Sequence, residues 1–378
     1  MSGGPDVIVV GAGLYGLSAA WHLARRGAKV VVMDAGEFAS GGSGRNLAGF
    51  RMQWGLEFNI SLSQESIEFF EDVEERLGYP GGIECKQDGY LLLAHDDATL
   101  DGFHQVRPVH ETFNVPSEIL SPGDIERLVP GLNMDGILGG SFCARDGTAN
   151  PFLLLDAFLK AARREGVQVW FRMPVLGIEK QGDLFVAKVP GGGYWAPVVL
   201  VCTDWQAPEL LAPLGVEVPI TALSKEAIAT ERRAPMIGPL LISYKHDLVI
   251  NQMGNGTVLA YATRDRPQGA DFSSTPGYLP YVAQKVVDLM PPLAKLRVLR
   301  SWAGVVSCTP DMQAVLGGTG IPGLYIAVSA YKGFMTCPAV GRLMAELILD
   351  GESDHPAAAQ LTLERFRTGD LVPEPLTV

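Results

Sequence analysis

The sequence predicts an α/β fold in which a nucleotide-binding domain on a parallel sheet is interrupted by a second domain on an antiparallel sheet. Three observations predict it. Residues 6–36, DVIVVGAGLYGLSAAWHLARRGAKVVVMDAG, have the pattern of strand, glycine-rich turn, helix and strand. Residues 217–265 alternate short strand-like runs with turns, which is typical of antiparallel sheet. Residues 323–351 close the chain with a strand, a glycine-bearing loop and a helix.

The opening segment has the pattern of a Rossmann-like βαβ unit. Residues 7–10 are an apolar run that ends at a glycine, as expected of a parallel strand buried on both faces. Residues 17–26 carry apolar side chains at helical spacing, and residues 29–33 form a second apolar run. A unit of about thirty residues in this order predicts two parallel strands joined by a crossover helix.

A glycine motif follows the first strand. Gly11, Gly13 and Gly16 have the spacing G-x-G-x-x-G, in which the first permits a tight turn, the second a close approach of a pyrophosphate and the third close helix–strand packing. The pyrophosphate then lies at the positive N-terminus of the helix. Asp34 is placed to accept hydrogen bonds from a ribose, and its charge disfavours NADP. The motif itself leaves FAD and NAD as alternatives.

Further elements follow from the spacing of apolar residues. Helices are predicted at residues 63–77, 124–128, 152–165 and 278–289. Residues 88–97, DGYLLLAHDD, predict a strand that ends in an acidic turn. The sequence shows no internal repeat, so a solenoid or propeller is not expected.

The order of these elements predicts two interleaved domains. Residues 1–80, 145–215 and 300–378 are assigned to the nucleotide-binding domain, and residues 81–144 and 216–299 to the inserted substrate domain. A chain of 378 residues is long enough for two joined domains of this kind.

Composition and charge exclude several classes of protein. The net charge is −12 with no basic stripe, so nucleic acid is not expected as a partner. The 5 cysteines include no C-x-x-C pair and the 6 histidines form no cluster, so neither a metal site nor a disulfide scaffold is expected. No apolar run reaches the roughly 18 residues of a membrane span, and no signal peptide is evident. We therefore expect a cytoplasmic protein.

Two further segments carry a resemblance to a known family. Residues 40–54, SGGSGRNLAGFRMQW, and residues 323–348, GLYIAVSAYKGFMTCPAVGRLMAELI, resemble segments of the D-amino-acid oxidase-type flavoproteins. That family includes sarcosine oxidase, glycine oxidase and the flavin subunits of proline and hydroxyproline dehydrogenases. The resemblance extends over nearly the whole chain. It implies a Rossmann-like FAD-binding domain, and oxidation of an amine or amino acid by hydride transfer from the carbon next to nitrogen to flavin N5.

The resemblance also implies roles for individual residues. Val175 matches a strand whose backbone contacts the adenine, and residues 331–335 match the loop at the pyrimidine end of the flavin. Arg51 matches an arginine near the flavin that serves the substrate carboxylate, a role that suits the bidentate guanidinium; contact with the pyrophosphate and a purely structural role are the alternatives. The implied cofactor-binding residues are Gly11, Gly13, Gly16, Asp34, Ser43, Gly44, Arg45, Asn46, Val175, Gly304, Gly333, Phe334 and Met335.

Two departures from the sarcosine oxidase pattern affect the flavin. Gly304 stands where those enzymes carry the cysteine that links the flavin, so noncovalent FAD is expected, although Cys308 lies four residues later. Val258 stands at the position of the lysine that activates oxygen. Because a cation there stabilises developing superoxide, its loss favours a dehydrogenase over an oxidase.

A third departure affects the substrate. Lys332 replaces a histidine of the family loop, and Met335 replaces a carboxylate-binding lysine. The candidate catalytic residues are therefore Arg51 and Lys332, with a solvated loop lysine as the alternative reading of Lys332. The expected substrate is a small amino acid, a secondary amine of the sarcosine or proline type.

Other functions fit the same cofactor. They are a D-amino-acid or glycine oxidase that produces hydrogen peroxide, an FAD-dependent 2-hydroxy-acid or glycerol-3-phosphate dehydrogenase, and a noncatalytic flavin-binding subunit of a larger complex. For association, a homo-oligomer and a redox partner subunit are the two alternatives.

Overall fold

The computed structural model describes residues 3–376. Its strands, in chain order, are β1 (Val7–Val10), β2 (Val30–Met33), β3 (Gly49–Phe50), β4 (Tyr90–Ala94), β5 (Ser117–Leu120), β6 (Gly139–Cys143), β7 (Gly147–Thr148), β8 (Gln168–Trp170), β9 (Gly177–Gln181), β10 (Leu184–Val189), β11 (Gly192–Ala196), β12 (Val198–Val201), β13 (Thr221–Arg232), β14 (Leu240–Ser243), β15 (Leu248–Gln252), β16 (Thr257–Ala262), β17 (Val298–Cys308), β18 (Val315–Gly318) and β19 (Leu324–Val328).

The helices, in chain order, are α1 (Leu14–Arg25), α2 (Glu57–Glu71), α3 (Val73–Leu77), α4 (Asp97–Thr112), α5 (Pro122–Leu128), α6 (Pro151–Arg164), α7 (Ala207–Leu211), α8 (Tyr278–Leu289), α9 (Gly333–Leu349), α10 (Ala357–Gln360) and α11 (Glu364–Thr368). Within residues 3–376, none of these helices combines the length and apolar character that a membrane crossing requires.

The mainly parallel sheet has six strands in the order β18-β19-β12-β1-β2-β8. All neighbours run parallel except β18 and β19. Helices α1, α6 and α9 cover one face, and the three-stranded sheet β11-β10-β9 with α7 covers the other. Strands covered on both faces must be apolar throughout, which is why β1 and β2 are buried along their whole length.

The second sheet has eight strands in the order β17-β13-β16-β15-β14-β4-β6-β5. Its neighbours are antiparallel except β14 and β4, which are parallel because a long excursion through the rest of the chain, rather than a hairpin, connects them. One face, called the far face, packs against α5 and α8. The opposite face, called the near face, contacts the segment before β3, where the Asn251 side-chain amide donates to the Leu47 carbonyl at 2.9 Å.

The predicted α/β fold class is confirmed, while the predicted domain ranges stay a prediction. Strand β17 belongs to the eight-stranded sheet and continues to Cys308, so the predicted boundary at residue 300 falls inside a strand. Residues 1–2 and 377–378 of the predicted first domain lie outside the described part of the chain.

Most predicted helices are present, and two differences have physical reasons. The helix predicted at 63–77 is two helices, because the chain leaves helical geometry at Asp72, between α2 and α3. Helix α4 was not predicted, since Pro108 lies inside it and its apolar residues are sparse. The Asp96 side chain caps it by accepting from the Thr99 amide at 2.8 Å.

Candidate functional site

A cavity of about 590 Å³ opens at the carboxyl ends of β1, β2, β12 and β19. In an open α/β sheet this edge is where ligands bind. Most of the predicted cofactor-binding residues line it, although they come from distant parts of the chain. The lining members are Gly11, Gly13, Asp34, Ser43, Arg45, Asn46, Val175, Gly304, Gly333 and Phe334.

The glycine loop beneath this cavity leaves no room for side chains. Gly11 has φ +108°, and a Cβ there would lie 2.5 Å from the Cys202 carbonyl oxygen. A Cβ on Gly16 would lie 1.9 Å from the Gly11 carbonyl oxygen, so Gly16 serves helix–strand packing and does not line the cavity. Helix α1 starts at Leu14 with no side-chain cap on Gly13, so its positive N-terminus faces the cavity.

Asp34 lines the cavity, but its carboxylate also holds the glycine loop. One oxygen accepts from the Ala12 amide and the other from the Gly36 amide, each at 2.7 Å. The prediction gave Asp34 only a ribose contact. The structure adds a backbone role, which fixes the turn that carries the motif.

The Ser/Gly/Arg loop crosses the mouth of the cavity. The Ser43 hydroxyl accepts from the Leu14 amide at 3.0 Å, and Asn46 donates to the Ser43 carbonyl at 2.7 Å. Arg45 donates to the Ala303 carbonyl at 3.0 Å, which ties the loop to β17. Gly44 does not line the cavity; a Cβ there would lie 2.1 Å from the Ala39 carbonyl oxygen, so it permits the turn.

The other end of the cavity is formed by β17 and the loop before α9. Gly304 faces Arg45, and a Cβ there would lie 3.2 Å from the Arg45 Cβ. Ala330 and Tyr331 both have positive φ, +40° and +74°, a strained arrangement for residues with side chains that is common at functional sites. Met335 is half-buried against the core behind this wall and does not line the cavity.

Two residues differ in detail from their predicted places. Val175 lines the cavity from the extended loop between β8 and β9, and it is not part of a strand. Cys308 is half-buried and lies outside the cavity lining, next to Tyr331, and burial raises the pKa of its thiol.

Comparison of the sequence with known protein families identifies the family to which the chain belongs. A family model described as FAD dependent oxidoreductase matches residues 6–347. The chain belongs to this family. The predicted resemblance and the FAD cofactor are thereby confirmed, and the protein is an FAD-dependent oxidoreductase.

The alignments with similar proteins cover nearly the whole chain. A sarcosine oxidase subunit beta from Arthrobacter sp is 28% identical over 98% of this chain and 93% of its own length. A glycine oxidase from Bacillus subtilis is 24% identical over 92% of this chain and 94% of its own length. The crystal structure of L-proline dehydrogenase from P. horikoshii superposes with a TM-score of 0.92 at 28% identity, covering 98% of this chain and 100% of that one.

The residues around the cavity fit FAD. The glycine turn is too tight for side chains, the N-terminus of α1 suits a pyrophosphate, and the volume lies within the range of cofactor sites. The glycine loop with Ser43 would hold the pyrophosphate, and Gly304, Gly333 and Phe334 would border the flavin ring. Within residues 3–376, no group of three or more His, Cys, Asp or Glu side chains could hold a metal ion.

Arg51 lies outside the cavity lining and is buried, with 4% of its surface exposed. Its Nη2 donates to the Leu376 carbonyl at 2.6 Å, and its Cζ lies 3.8 Å from the Trp54 ring centroid. Its Nη1 has no hydrogen-bond partner among residues 3–376. The neighbouring Tyr244 hydroxyl is also buried without a well-formed hydrogen bond. Burial raises the Tyr244 pKa, and the Arg51 charge opposes that rise.

Lys332 is not a solvated loop lysine. Only 4% of it is exposed, and its Nζ donates to the Met312 carbonyl at 2.8 Å and to Gln313 Oε1 at 3.0 Å. Burial lowers the pKa of Lys332 to about 8, and the charge of Glu374 partly offsets that effect. The ammonium is turned into the protein behind the cavity wall, so the structure gives Lys332 a positioning role there, and substrate contact remains a prediction.

The place predicted for the oxygen-activating lysine is wrong. Val258 is 1% exposed in the core of the far face, which packs against α8. The near face instead carries Lys225, which pairs with Gly304 across β13 and β17. Its Nζ lies 5.7 Å from the Tyr261 ring centroid and 5.9 Å from that of the cavity-lining Tyr331. Alternation along a strand decides the face, and the register could not be fixed from sequence.

Sequence reasoning missed other residues around the site. Phe272 covers the cavity mouth, where the Arg45 Cζ lies 4.8 Å from its ring centroid. Asp146, fully buried next to Arg51, accepts from the Met52 amide at 2.7 Å and from Gln53 Nε2 at 2.8 Å. Its position in ARDGTANP gave a signal, an acid between two predicted elements, but no spacing rule links it to Arg51.

Proposed function

We propose that the flavoprotein oxidises a small amino acid that is a secondary amine of the sarcosine or proline type, and that it acts as a dehydrogenase. The observation that carries this proposal is the buried Arg51 guanidinium, whose Nη1 has no partner among residues 3–376. The guanidinium lies one layer behind the cavity. Arg51 stacks on the Trp54 ring, and the Lys332 Nζ lies 5.2 Å from the centroid of the same ring. Lys332 in turn is flanked in sequence by Tyr331 and Gly333, which line the cavity. A buried guanidinium with a free donor is suited to a carboxylate.

FAD, when bound, supplies the hydride acceptor for the carbon next to nitrogen. The residues of this chain orient the substrate. Arg51 and the Tyr244 hydroxyl would hold the carboxylate, and their burial away from water strengthens that contact. The Lys225 ammonium on the near face disfavours a second cation nearby, so it favours the neutral amine, which is the form that can release a hydride.

The comparisons support the substrate class, because relatives named for sarcosine oxidase and a solved structure named for L-proline dehydrogenase both act on secondary amines. For the electron acceptor they divide: the solved structure is named a dehydrogenase and aligns over nearly the whole chain, whereas the sarcosine relatives are named oxidases. Because the first three relatives are named as beta subunits, we also propose that this chain works with a redox partner subunit.

An oxidase is the second candidate function, and one observation favours it. Lys225 provides a cation on the near face beside the cavity-lining Tyr331. A positive charge there would stabilise negative charge that develops on oxygen. The similarity to L-proline dehydrogenase, and no longer Val258, therefore supports a dehydrogenase.

Anaerobic bleaching of the flavin absorbance tests the proposal. Sarcosine and L-proline are expected to bleach the flavin, while D-alanine, glycine, a 2-hydroxy acid and glycerol 3-phosphate are expected to leave it oxidised. Bleaching by the hydroxy acid but by no amine would reject the proposal. After readmission of air, fast hydrogen peroxide formation would select the oxidase, and slow reoxidation with fast transfer to a dye would select the dehydrogenase.

A further inference from the structure

The end of the described chain lies against the proposed substrate arginine. Residues 371–376, called the tail, follow α11 without regular secondary structure and reach Arg51 at a turn formed by residues 375–376. Leu376 is 5% exposed, whereas Leu371 at the start of the tail is 43% exposed. Along the tail, buried residues alternate with exposed ones: Glu374 and Leu376 are buried, whereas Pro373 and Pro375 are exposed, and the most buried residue, Leu376, lies at Arg51.

The middle of the tail is firmly anchored. Val372 donates its amide to Asp311 Oδ2 at 3.3 Å, and its carbonyl accepts from Gln313 Nε2 at 3.0 Å. The Glu374 carboxylate accepts from the Gly55 amide at 2.6 Å and from Asn59 Nδ2 at 2.7 Å. These charge-assisted bonds are the strong kind, and they fix the tail as far as Glu374.

The tip of the tail, Pro375 and Leu376, is held more weakly. Its backbone accepts from Arg51 Nη2 at the neutral Leu376 carbonyl at 2.6 Å, and the Leu376 amide donates a long bond of 3.4 Å to Glu374 Oε1. The Leu376 side chain fills a near-face cluster with Tyr90, Leu92, Leu240 and Ile242. Proline has no amide hydrogen, so Pro375 adds no backbone donor.

Arg51 is therefore only half satisfied. Its Nη2 is used by a neutral carbonyl, while its Nη1 and the adjacent Tyr244 hydroxyl lack well-formed bonds. A carboxylate would use both guanidinium nitrogens, and its charge-assisted bonds are roughly twice as strong as a neutral one. A carboxylate that replaces the tip would also accept hydrogen bonds from Arg51 Nη1 and the Tyr244 hydroxyl, which the tip leaves unpaired.

We propose that the tip of the tail is a built-in competitor for the carboxylate of the substrate, which displaces it while Glu374 remains anchored. The inference rests on the proposed function, in which Arg51 receives that carboxylate. The apparent affinity for the carboxylate is then the intrinsic affinity multiplied by the fraction of molecules in which the tip is undocked. It also keeps Arg51 paired and Leu376 out of water when no ligand is present.

Displacement is measured with acetate as the probe and neutral acetamide as its control. In the FAD-loaded full chain, Leu376→Cys places a thiol at the tip, and Leu371→Cys places one at the exposed start of the tail. Labelling by iodoacetamide is followed by mass spectrometry of the C-terminal peptide. Acetate is expected to accelerate labelling at position 376 at least several-fold and to leave position 371 unchanged, and acetamide is expected to do neither.

Affinity gives a second readout. Leu376→Ala removes most of the packing that docks the tip, and Leu371→Ala is the matched exposed control. The dissociation constant of acetate, taken from the shift of the flavin spectrum, is expected to fall about tenfold in Leu376→Ala and to stay unchanged in Leu371→Ala.

Two results would overturn the inference, and they are distinguishable. If acetate shifts the spectrum in an Arg51-dependent way but leaves labelling at position 376 unchanged, the tip is a fixed wall and the proposed function stands. If acetate gives no Arg51-dependent shift even in Leu376→Ala, both the inference and the carboxylate role of Arg51 are rejected.

Discussion

The FAD cavity and the region around Arg51 adjoin each other but are built in opposite ways. The cavity is an open space of about 590 Å³ whose lining includes the tight turn of the glycine motif. The Arg51 region is a packed cluster of buried polar side chains, among them Asp146 and Lys332, into which the tail inserts Glu374 and Leu376. The first is a preformed receptacle for a large cofactor, and the second is filled by the protein itself.

This difference shows what each region depends on. The cavity depends on conformations that only glycine adopts without strain, such as Gly11 at φ +108°. The Arg51 region depends on hydrogen bonds and buried charge between residues far apart in sequence, such as Asn59 and Glu374. Changes in the cavity should therefore affect cofactor binding, and changes near Arg51 should affect substrate, pH dependence and ligand exchange.

The largest effect is expected from Gly11→Ala. The new Cβ would lie 2.5 Å from the Cys202 carbonyl oxygen at a φ of +108°, so the turn must shift and bound flavin should be lost. Gly27→Ala is the control, because Gly27 also has positive φ, +92°, but nothing lies within 4 Å of a Cβ there. Gly27→Ala should cost roughly 1 kcal/mol and retain flavin. Flavin absorbance of the purified variants measures this. Equal flavin content in both variants would show that the cavity does not depend on glycine at position 11.

The next effect concerns Asp146 and pH. Burial raises the pKa of Asp146 to about 7, above its value in the unfolded chain. The folded state therefore holds this proton more tightly, and the free energy of unfolding should fall by about 4 kcal/mol as the pH rises from about 4 to about 7. Asp146→Asn should remove that contribution. Urea unfolding across this pH range measures the slope, and parallel profiles for the two proteins would contradict the expectation.

Arg51→Ala should act on substrate and spare the cofactor. Loss of the guanidinium is expected to raise KM about 100-fold, because a buried, charged hydrogen bond to the substrate is lost. The flavin content should stay the same. Arg163→Ala, on the exposed side of α6, is the control and should change neither quantity. Steady-state kinetics with the amine that bleaches the flavin measures this, and an unchanged KM would remove Arg51 from the site.

The smallest effect is expected at Lys225. Lys225→Met should lower the rate at which oxygen reoxidises the reduced flavin about tenfold, because a near-face cation is removed. Val258→Lys is the matched change on the far face, where it would bury a charge in the core and lower stability without raising oxygen reactivity. Stopped-flow reoxidation measures both rates. Faster reoxidation in Val258→Lys would restore the original prediction for that position.

The sequence by itself determined the opening βαβ unit with its dinucleotide-binding motif and, through the resemblance, the family and the FAD cofactor. The unit and its motif rest on short-range rules: Gly11 must adopt positive φ, and residues 7–10 must be apolar because both faces of their strand are covered. Such rules act within a few residues, so they can be read without knowing the fold. Gly304, Gly333 and Phe334 were also placed at the cavity, through the resemblance.

Only the tertiary structure decided the surroundings of Arg51. It showed that Lys332 is buried and turned away from the cavity, that Lys225 rather than Val258 lies on the near face, and that Leu376 reaches Arg51. Arg51 and Leu376 are 325 residues apart, and no local rule of strand or helix formation couples such positions. Their contact follows from how the two sheets and the tail pack together, because burial leaves each polar group to find its partner wherever the chain brings one.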